Sequence, residues 1–228
     1  MNRRESVKAS KQNTVFKGTG QDLSLITLPS PKSDRNSTVF EALKKRRTVR
    51  AIRDKKLPLQ VLSNLLWAAC GVNVKKGPFG VPGRTAASAS NSQEIDLYVA
   101  LPEGIYLYEP ASHRLIPVVA GDLRALAIGP GQGEAGAKAP VRFIYVVDID
   151  KFSKAGFQEP GLYDPEIQKS YYYVDTGIIA ENVYLFASSQ GLATWFHNCN
   201  RAALAKTLKL RPNQRALFGQ TVGYPEND

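Results

Sequence analysis

The chain has 228 residues, 43% of them hydrophobic with 10 Tyr and 9 Phe, which is enough to bury a sizeable core and excludes an unfolded polymer. No apolar run approaches the roughly 20 residues needed to span a bilayer, and two cysteines far apart in sequence exclude a disulfide scaffold, so a reducing cytoplasm is expected. The net charge of +10 belongs to the N-terminal quarter: residues 1–56 hold 15 Lys and Arg against 5 Asp and Glu, and the remainder holds 15 of each.

Residues 1–36 are polar and basic, with Pro-Ser-Pro at 29–31, and read as a flexible arm ahead of a domain over 37–228. Paired arginines at Arg3-Arg4 are not followed by an apolar stretch or a small-residue cleavage site, so no export signal is read. Aromatic residues do not interleave with the arm's charges, which argues against a surface for stacking single-stranded nucleic acid. A solvated tail is the simpler reading; a basic arm docking nucleic acid or another anionic surface is the alternative.

Order begins at Thr38-Val39-Phe40-Glu41, a capping box opening a helix over 39–46. A second helix opens at Pro58, runs through Leu62, Leu65, Leu66 and Ala69, and stops at Gly71. A Gly-, Pro- and Ser-rich loop spans 71–92. Segments 95–100 and 104–108 alternate around Pro102-Glu103 as a hairpin, extended by 112–116. A helix near 121–127, a mobile glycine-rich loop at 129–136 and a core strand at 141–148 follow. The longest helix candidate runs from about 171 to 190, another covers 201–208, and a strand closes the chain at 218–224. Strands and helices do not alternate in βαβ units, so the fold class expected is α+β. The glycine cluster precedes a strand instead of following one and is no dinucleotide fingerprint.

Three separated stretches carry groups suited to a phosphorylated, ring-bearing ligand. Arg46, Arg47, Thr48 and Arg50 offer guanidinium forks and a hydroxyl for a phosphate; the plain alternative is a basic helix end favoured by the helix dipole. Ser90, Asn91 and Gln93, within Ser88–Gln93, can read the polar edge of a planar ring or simply cap a loop. Gly191 to Cys199 is a glycine-containing turn after an apolar run, where backbone N–H groups can face a ligand. Within it His197 and Cys199 are equally readable as core packing. With only two histidines, neither a triad nor a histidine-rich metal site assembles, so any chemistry falls to a borrowed cofactor.

In this order the three stretches resemble the FMN-dependent nitroreductase family over about residues 39–225. Arg46-Arg47-Thr48-Val49-Arg50 matches its phosphate motif and Ser88–Gln93 its flavin loop, although Glu94 stands where a proline is often found. The helix through Asp175-Thr176-Gly177 and Glu181-Asn182 to Gly191 and the closing Val222-Gly223-Tyr224-Pro225 also match. The Gly-Ile-Tyr-Leu-Tyr-Glu-Pro hairpin resembles the azoline-oxidising branch of that family.

The resemblance implies an antiparallel-rich sheet flanked by helices, with FMN between two subunits of a homodimer. Arg46, Arg47, Thr48 and Arg50 would hold its phosphate and ribityl end, Ser90, Asn91 and Gln93 its ring edge. Backbone N–H groups at His197, Asn198 and Cys199 would face its reactive nitrogen. NAD(P)H would be the reductant and a nitroaromatic, quinone-like or other conjugated small molecule the acceptor, in ping-pong order. Oxidation of an azoline-type ring, or a non-catalytic flavin-fold module, are the alternatives. Two departures stand out: His197-Asn198-Cys199 replaces a common acid-or-arginine–glycine pair, and the acidic end Glu226-Asn227-Asp228 stands where relatives carry further cations, with Arg84 and Arg201 as candidate substitutes.

Overall fold

The computed structural model describes residues 16–18, 21–32, 38–132 and 139–226. The main sheet has seven strands in the order β10-β11-β9-β6-β7-β8-β3, every neighbouring pair antiparallel. These strands are β3 (Ile26–Thr27), β6 (Ile95–Leu101), β7 (Gly104–Glu109), β8 (Arg114–Ala120), β9 (Val141–Asp148), β10 (Ala193–His197) and β11 (Gln214–Gly223). Two small hairpins, β1 (Phe16–Gly18) with β2 (Gln21–Leu23) and β4 (Val72–Val74) with β5 (Gly83–Arg84), complete the strands.

β9 sits centrally because all eight of its residues are buried, which requires cover on both faces. One face packs Phe143 and Tyr145 against α2 (Leu59–Cys70) and α3 (Pro165–Ser189). The other packs Ile144 and Val146 against Leu204 of α4 (Arg201–Thr207) and Ala127. This is the α+β body expected from the sequence. Cys70 and Cys199 fall in these two layers as separate buried thiols. Among the described residues no helix is long and apolar enough to cross a membrane.

The helix starts follow their caps. α1 (Val39–Lys45) opens where Thr38 Oγ1 accepts the Glu41 N–H, and α2 opens after Pro58 and ends on Gly71. α3 begins six residues before the expected start, because Asp164 accepts the N–H groups of Glu166 and Ile167 and Pro165 fits the first turn. The expected helix near 121–127 is a single 3-10 turn, Arg124–Ala127. The loop at 71–92 contains the β4–β5 hairpin, and residues 133–136 of the glycine-rich loop lie outside the described residues.

The arm expected over 1–36 needs correction for residues 21–32. Ile26 and Thr27 pair with Leu115 and Arg114, while Leu23 and Leu28 are buried in the core. A polar relay fixes this strap. Ser63 Oγ donates to the Pro29 carbonyl, His113 Nε2 lies 2.7 Å from Ser63 Oγ, and Tyr108 Oη lies 2.8 Å from His113 Nδ1. Since the serine proton is spent on Pro29, His113 donates through Nε2 and accepts from Tyr108 at Nδ1. Residues 1–15 lie outside the described residues.

Gly219 tests the close approach that shapes the β10 end of the sheet. It faces His197 across the ladder, and a Cβ there would lie 2.3 Å from the Ala127 carbonyl oxygen and 2.7 Å from the His197 ring. Gly219→Ala is expected to destabilise the protein by about 1–3 kcal/mol. The fall in Tm, read by calorimetry, should be about 2–4 °C for each kcal/mol lost.

Candidate functional site

β10 is the edge strand of the sheet, so one side of its backbone has no strand partner. Two groups use that edge. Val49 N–H donates to the Thr194 carbonyl at 3.0 Å, and Phe196 N–H donates to the Tyr184 hydroxyl at 3.0 Å. Tyr184, on α3, also lies 3.0 Å from Thr48 Oγ1. The segment after α1 is thereby laid along β10, and the first and third motifs meet. Arg46 stacks over the Tyr184 ring at 5.5 Å and Arg50 over the Trp195 ring at 5.4 Å.

None of Arg46, Arg47 and Arg50 forms an ion pair with a described acidic residue. Arg47 lines a groove of about 400 Å³ with Lys45, Tyr184, Ser188, Thr194 and Pro225. Three uncompensated guanidinium groups beside an exposed hydroxyl suit a phosphate dianion. Further along the same edge, Asn198 is exposed and its N–H finds no acceptor among the described residues. A donor therefore remains at the end of the strand for a polar ring. The residues present fit a phosphorylated flavin.

The third motif is a strand from Ala193 to His197 instead of a turn; Gly191, at φ 65°, makes the turn before it. His197 and Cys199 are only 4% and 3% exposed, so their side chains face the interior. His197 Nδ1 lies 2.8 Å from the Asn198 carbonyl and Nε2 2.8 Å from Thr221 Oγ1. A carbonyl only accepts, so Nδ1 carries the proton and Nε2 accepts from threonine. Burial holds this imidazole neutral, with its pKa lowered to about 4.

The second motif lies elsewhere in the same chain. Ser90, Asn91 and Gln93 all adopt positive φ, and their side chains knit the loop to itself. Gln93 Nε2 donates to the Pro82 carbonyl at 2.7 Å and to Asn91 Oδ1 at 2.8 Å, and Ser90 Oγ donates to Glu159 at 3.1 Å. The loop is tied to α3 at Asp175, which accepts the Ala89 N–H at 2.9 Å. Asp175 and Tyr184 are nine residues apart on one helix, about 14 Å along its axis. One chain thus brings Arg46, Thr48, Arg50 and Asn198 to one edge and keeps Asn91 and Gln93 at another.

Neither Arg84 nor Arg201 joins the cluster. Arg84 donates to Gln93 and to the Cys70 carbonyl, and Arg201 sits over Phe218. Two contributors escaped the sequence reading. Tyr184 sits in the Val183–Ala187 stretch of the long helix, where nothing local marks a tyrosine as different from packing. Glu94, noticed only as a replacement for proline, is fully buried against Asp175.

Glu94 Oε2 accepts the Ser92 hydroxyl at 2.6 Å, and its buried Oε1 has no hydrogen-bond donor. Burial and the neighbouring Asp175 carboxylate raise Glu94 to about 7, so Glu94 keeps a proton and shares it with Asp175. Burial also raises Asp175.

The family now follows from comparison with known proteins. The nitroreductase family model matches residues 43–224, nearly the whole helix-flanked antiparallel sheet, and that family supports a flavin-type oxidoreductase. The chain belongs to the nitroreductase family. It is 29% identical over 161 residues to a candidate nitroreductase from Methanocaldococcus jannaschii, covering 68% of this chain and 75% of that protein. A crystal structure of a candidate nitroreductase from Ralstonia eutropha superposes with a TM-score of 0.78 at 32% identity, covering 98% of this chain and 99% of the other. A chain of the E. coli microcin synthetase McbBCD complex, with truncated pro-MccB17 bound, shares the fold at a TM-score of 0.66 and 19% identity, over 99% of this chain and 85% of that one.

The raised Glu94 pKa sets a pH dependence. The unfolded chain releases this proton near its ordinary value of 4.5, and the folded chain holds it to about 7. Glu94 therefore erodes stability as pH rises through that window, at up to about 1.4 kcal/mol per pH unit. Glu94→Gln, which keeps a donor toward Asp175, should remove the slope. Urea unfolding at about pH 5 and about pH 8 should show the variant gaining on the wild type at the higher pH.

Proposed function

We propose that this protein is an FMN-dependent oxidoreductase that works as a homodimer, taking hydride from NAD(P)H and passing it to a nitroaromatic, quinone-like or other conjugated small acceptor. The observation that carries the reading is the set of uncompensated guanidinium groups of Arg46, Arg47 and Arg50 beside the open edge of β10. When bound, FMN supplies the hydride-transferring ring. The chain's own residues bind and orient it. The arginines and Thr48 take the phosphate end, and the Asn198 N–H donates to the polar part of the ring. Such a donor stabilises negative charge as it develops. His197, neutral and bonded to Thr221, fixes the strand end instead of moving a proton.

Two features support the dimer. The exposed face of α1 carries Val39, Phe40 and Leu43 at 70%, 73% and 54% exposure, beside a groove of about 400 Å³ reaching Trp67 and Phe186. A surface of this kind is costly to leave in water. The distance between the two edges is the second. A second copy would bring its Ser90, Asn91 and Gln93 to the first copy's arginines, which one chain does not do alone.

The McbBCD match favours a second reading, oxidation of an azoline-type ring within a peptide or metabolite, because its fold spans nearly the whole chain. A panel of NAD(P)H-driven nitro reduction against azoline oxidation separates the two by which substrate turns over.

Arg46→Ala with Arg50→Ala should weaken FMN binding by about 2–5 kcal/mol, the scale of losing charged hydrogen bonds. Far-UV circular dichroism should stay unchanged, because both side chains lie outside the core; fluorescence titration with FMN measures the loss. Phe40→Glu with Leu43→Glu should yield a monomer in sedimentation that has lost most of its FMN affinity. Dimeric protein with full affinity in that variant would place the interface on another face.

A further inference from the structure

A second pocket lies away from the arginine edge, between the 84–97 segment, β7 and α3. It has a volume of about 240 Å³, and Arg84, Cys70, Tyr108, Leu97, Leu107 and Ile179 are among the residues that line it. At about 25–30 Å³ per non-hydrogen atom, it holds a ligand of roughly eight to ten such atoms.

The charges around it are settled among themselves, with one exception. Lys151 lies 2.6 Å from Asp96, and Glu109 lies 2.6 Å from Arg114. Glu94 and Asp175 face each other, with Ser92 and the Ala89 N–H as their further partners. Arg84 hydrogen-bonds only to neutral groups, with Asp96, already paired to Lys151, as the nearby carboxylate that acts on its charge: its Nε donates to Gln93 Oε1 at 2.7 Å and its Nη1 to the Cys70 carbonyl at 3.1 Å. A guanidinium has five N–H donors, so three remain. Burial disfavours its charge, and an anion in the cavity would reverse that. Tyr108 and Cys70 bring no charge, because burial raises both well above neutrality.

We propose that this cavity is a binding site for a small organic monocarboxylate with a hydrocarbon body, the carboxylate on the free N–H groups of Arg84 and the body against Leu97, Leu107 and Ile179. The site is distinct from the arginine edge. Arg84, Ala86, Ala87 and Ser88 also line an outer groove with Asn91, so an occupant would bear on the loop that carries the second motif. Arg84 and Asn91 are linked through Gln93, which bonds both.

The test is calorimetric titration of the purified protein, with the flavin it carries, using hexanoate and benzoate against hexanamide and benzamide. At least one acid should bind saturably and its amide at least about tenfold more weakly, the discrimination of a charged hydrogen-bonded pair. Arg84→Gln should weaken the acid at least about tenfold. Ala86→Leu, which fills the cavity and leaves the guanidinium in place, should abolish binding with secondary structure intact, and it decides the matter if the Arg84 variant fails to fold. The proposal is overturned by absence of saturable binding of both acids, by equal affinity for acid and amide, by binding retained in Ala86→Leu, or by a soaked crystal with the acid at Arg46 and Arg50.

Discussion

One phenol organises the edge on which the rest depends. Tyr184 Oη accepts the Phe196 N–H and lies beside Thr48 Oγ1, while its ring supports Arg46. Those contacts join α3, β10 and the segment after α1 at one point. A strand at the edge of a sheet is a row of unspent donors and acceptors, and here a tyrosine and the Val49 N–H fill part of the row. What is left over, the Asn198 N–H and three guanidinium groups, is directed outward because the inward positions are already taken.

The electrostatics divide along the same line. Exposed Arg47 and Arg50 and half-buried Arg46, with no ion pair among the described residues, cost little to keep beside water. Two of the less exposed carboxylates are paired instead: Arg211 holds Asp148, and Lys151 holds Asp96. Where no cation is at hand, Glu94 keeps its proton. A single chain therefore carries a cluster of cations on one edge and a self-contained carboxyl pair under the other.

Much of this was legible in the sequence, for reasons specific to each element. Thr38 with Glu41, Pro58 with Gly71, and Pro102-Glu103 are local signals, and the corresponding helix start, helix ends and hairpin are all present. The eight apolar-rich residues of β9 announced a central strand. Local chemistry says nothing about partners far away in sequence. The strap at 21–32 looked like tail because it lies within a polar, basic stretch and ends in Pro-Ser-Pro-Lys, and it is fixed by Ser63, His113 and Leu115, which composition does not report. The stretch after Gly191 read as a turn because glycine dominated the signal. The Thr221 and Gly219 partners that make it a strand lie over 20 residues on. For the site, residue types were readable and convergence was not: the arginines and β10 share an edge, and the Asn91 loop lies a helix half-length away.

The two cysteine sulfurs are buried in opposite layers, with thiols raised to about 12 and about 11. At neutral pH almost no thiolate exists at either, so peroxide and alkylating agents find no nucleophile. Each layer of the core thus carries one thiol that burial keeps in its unreactive, protonated form.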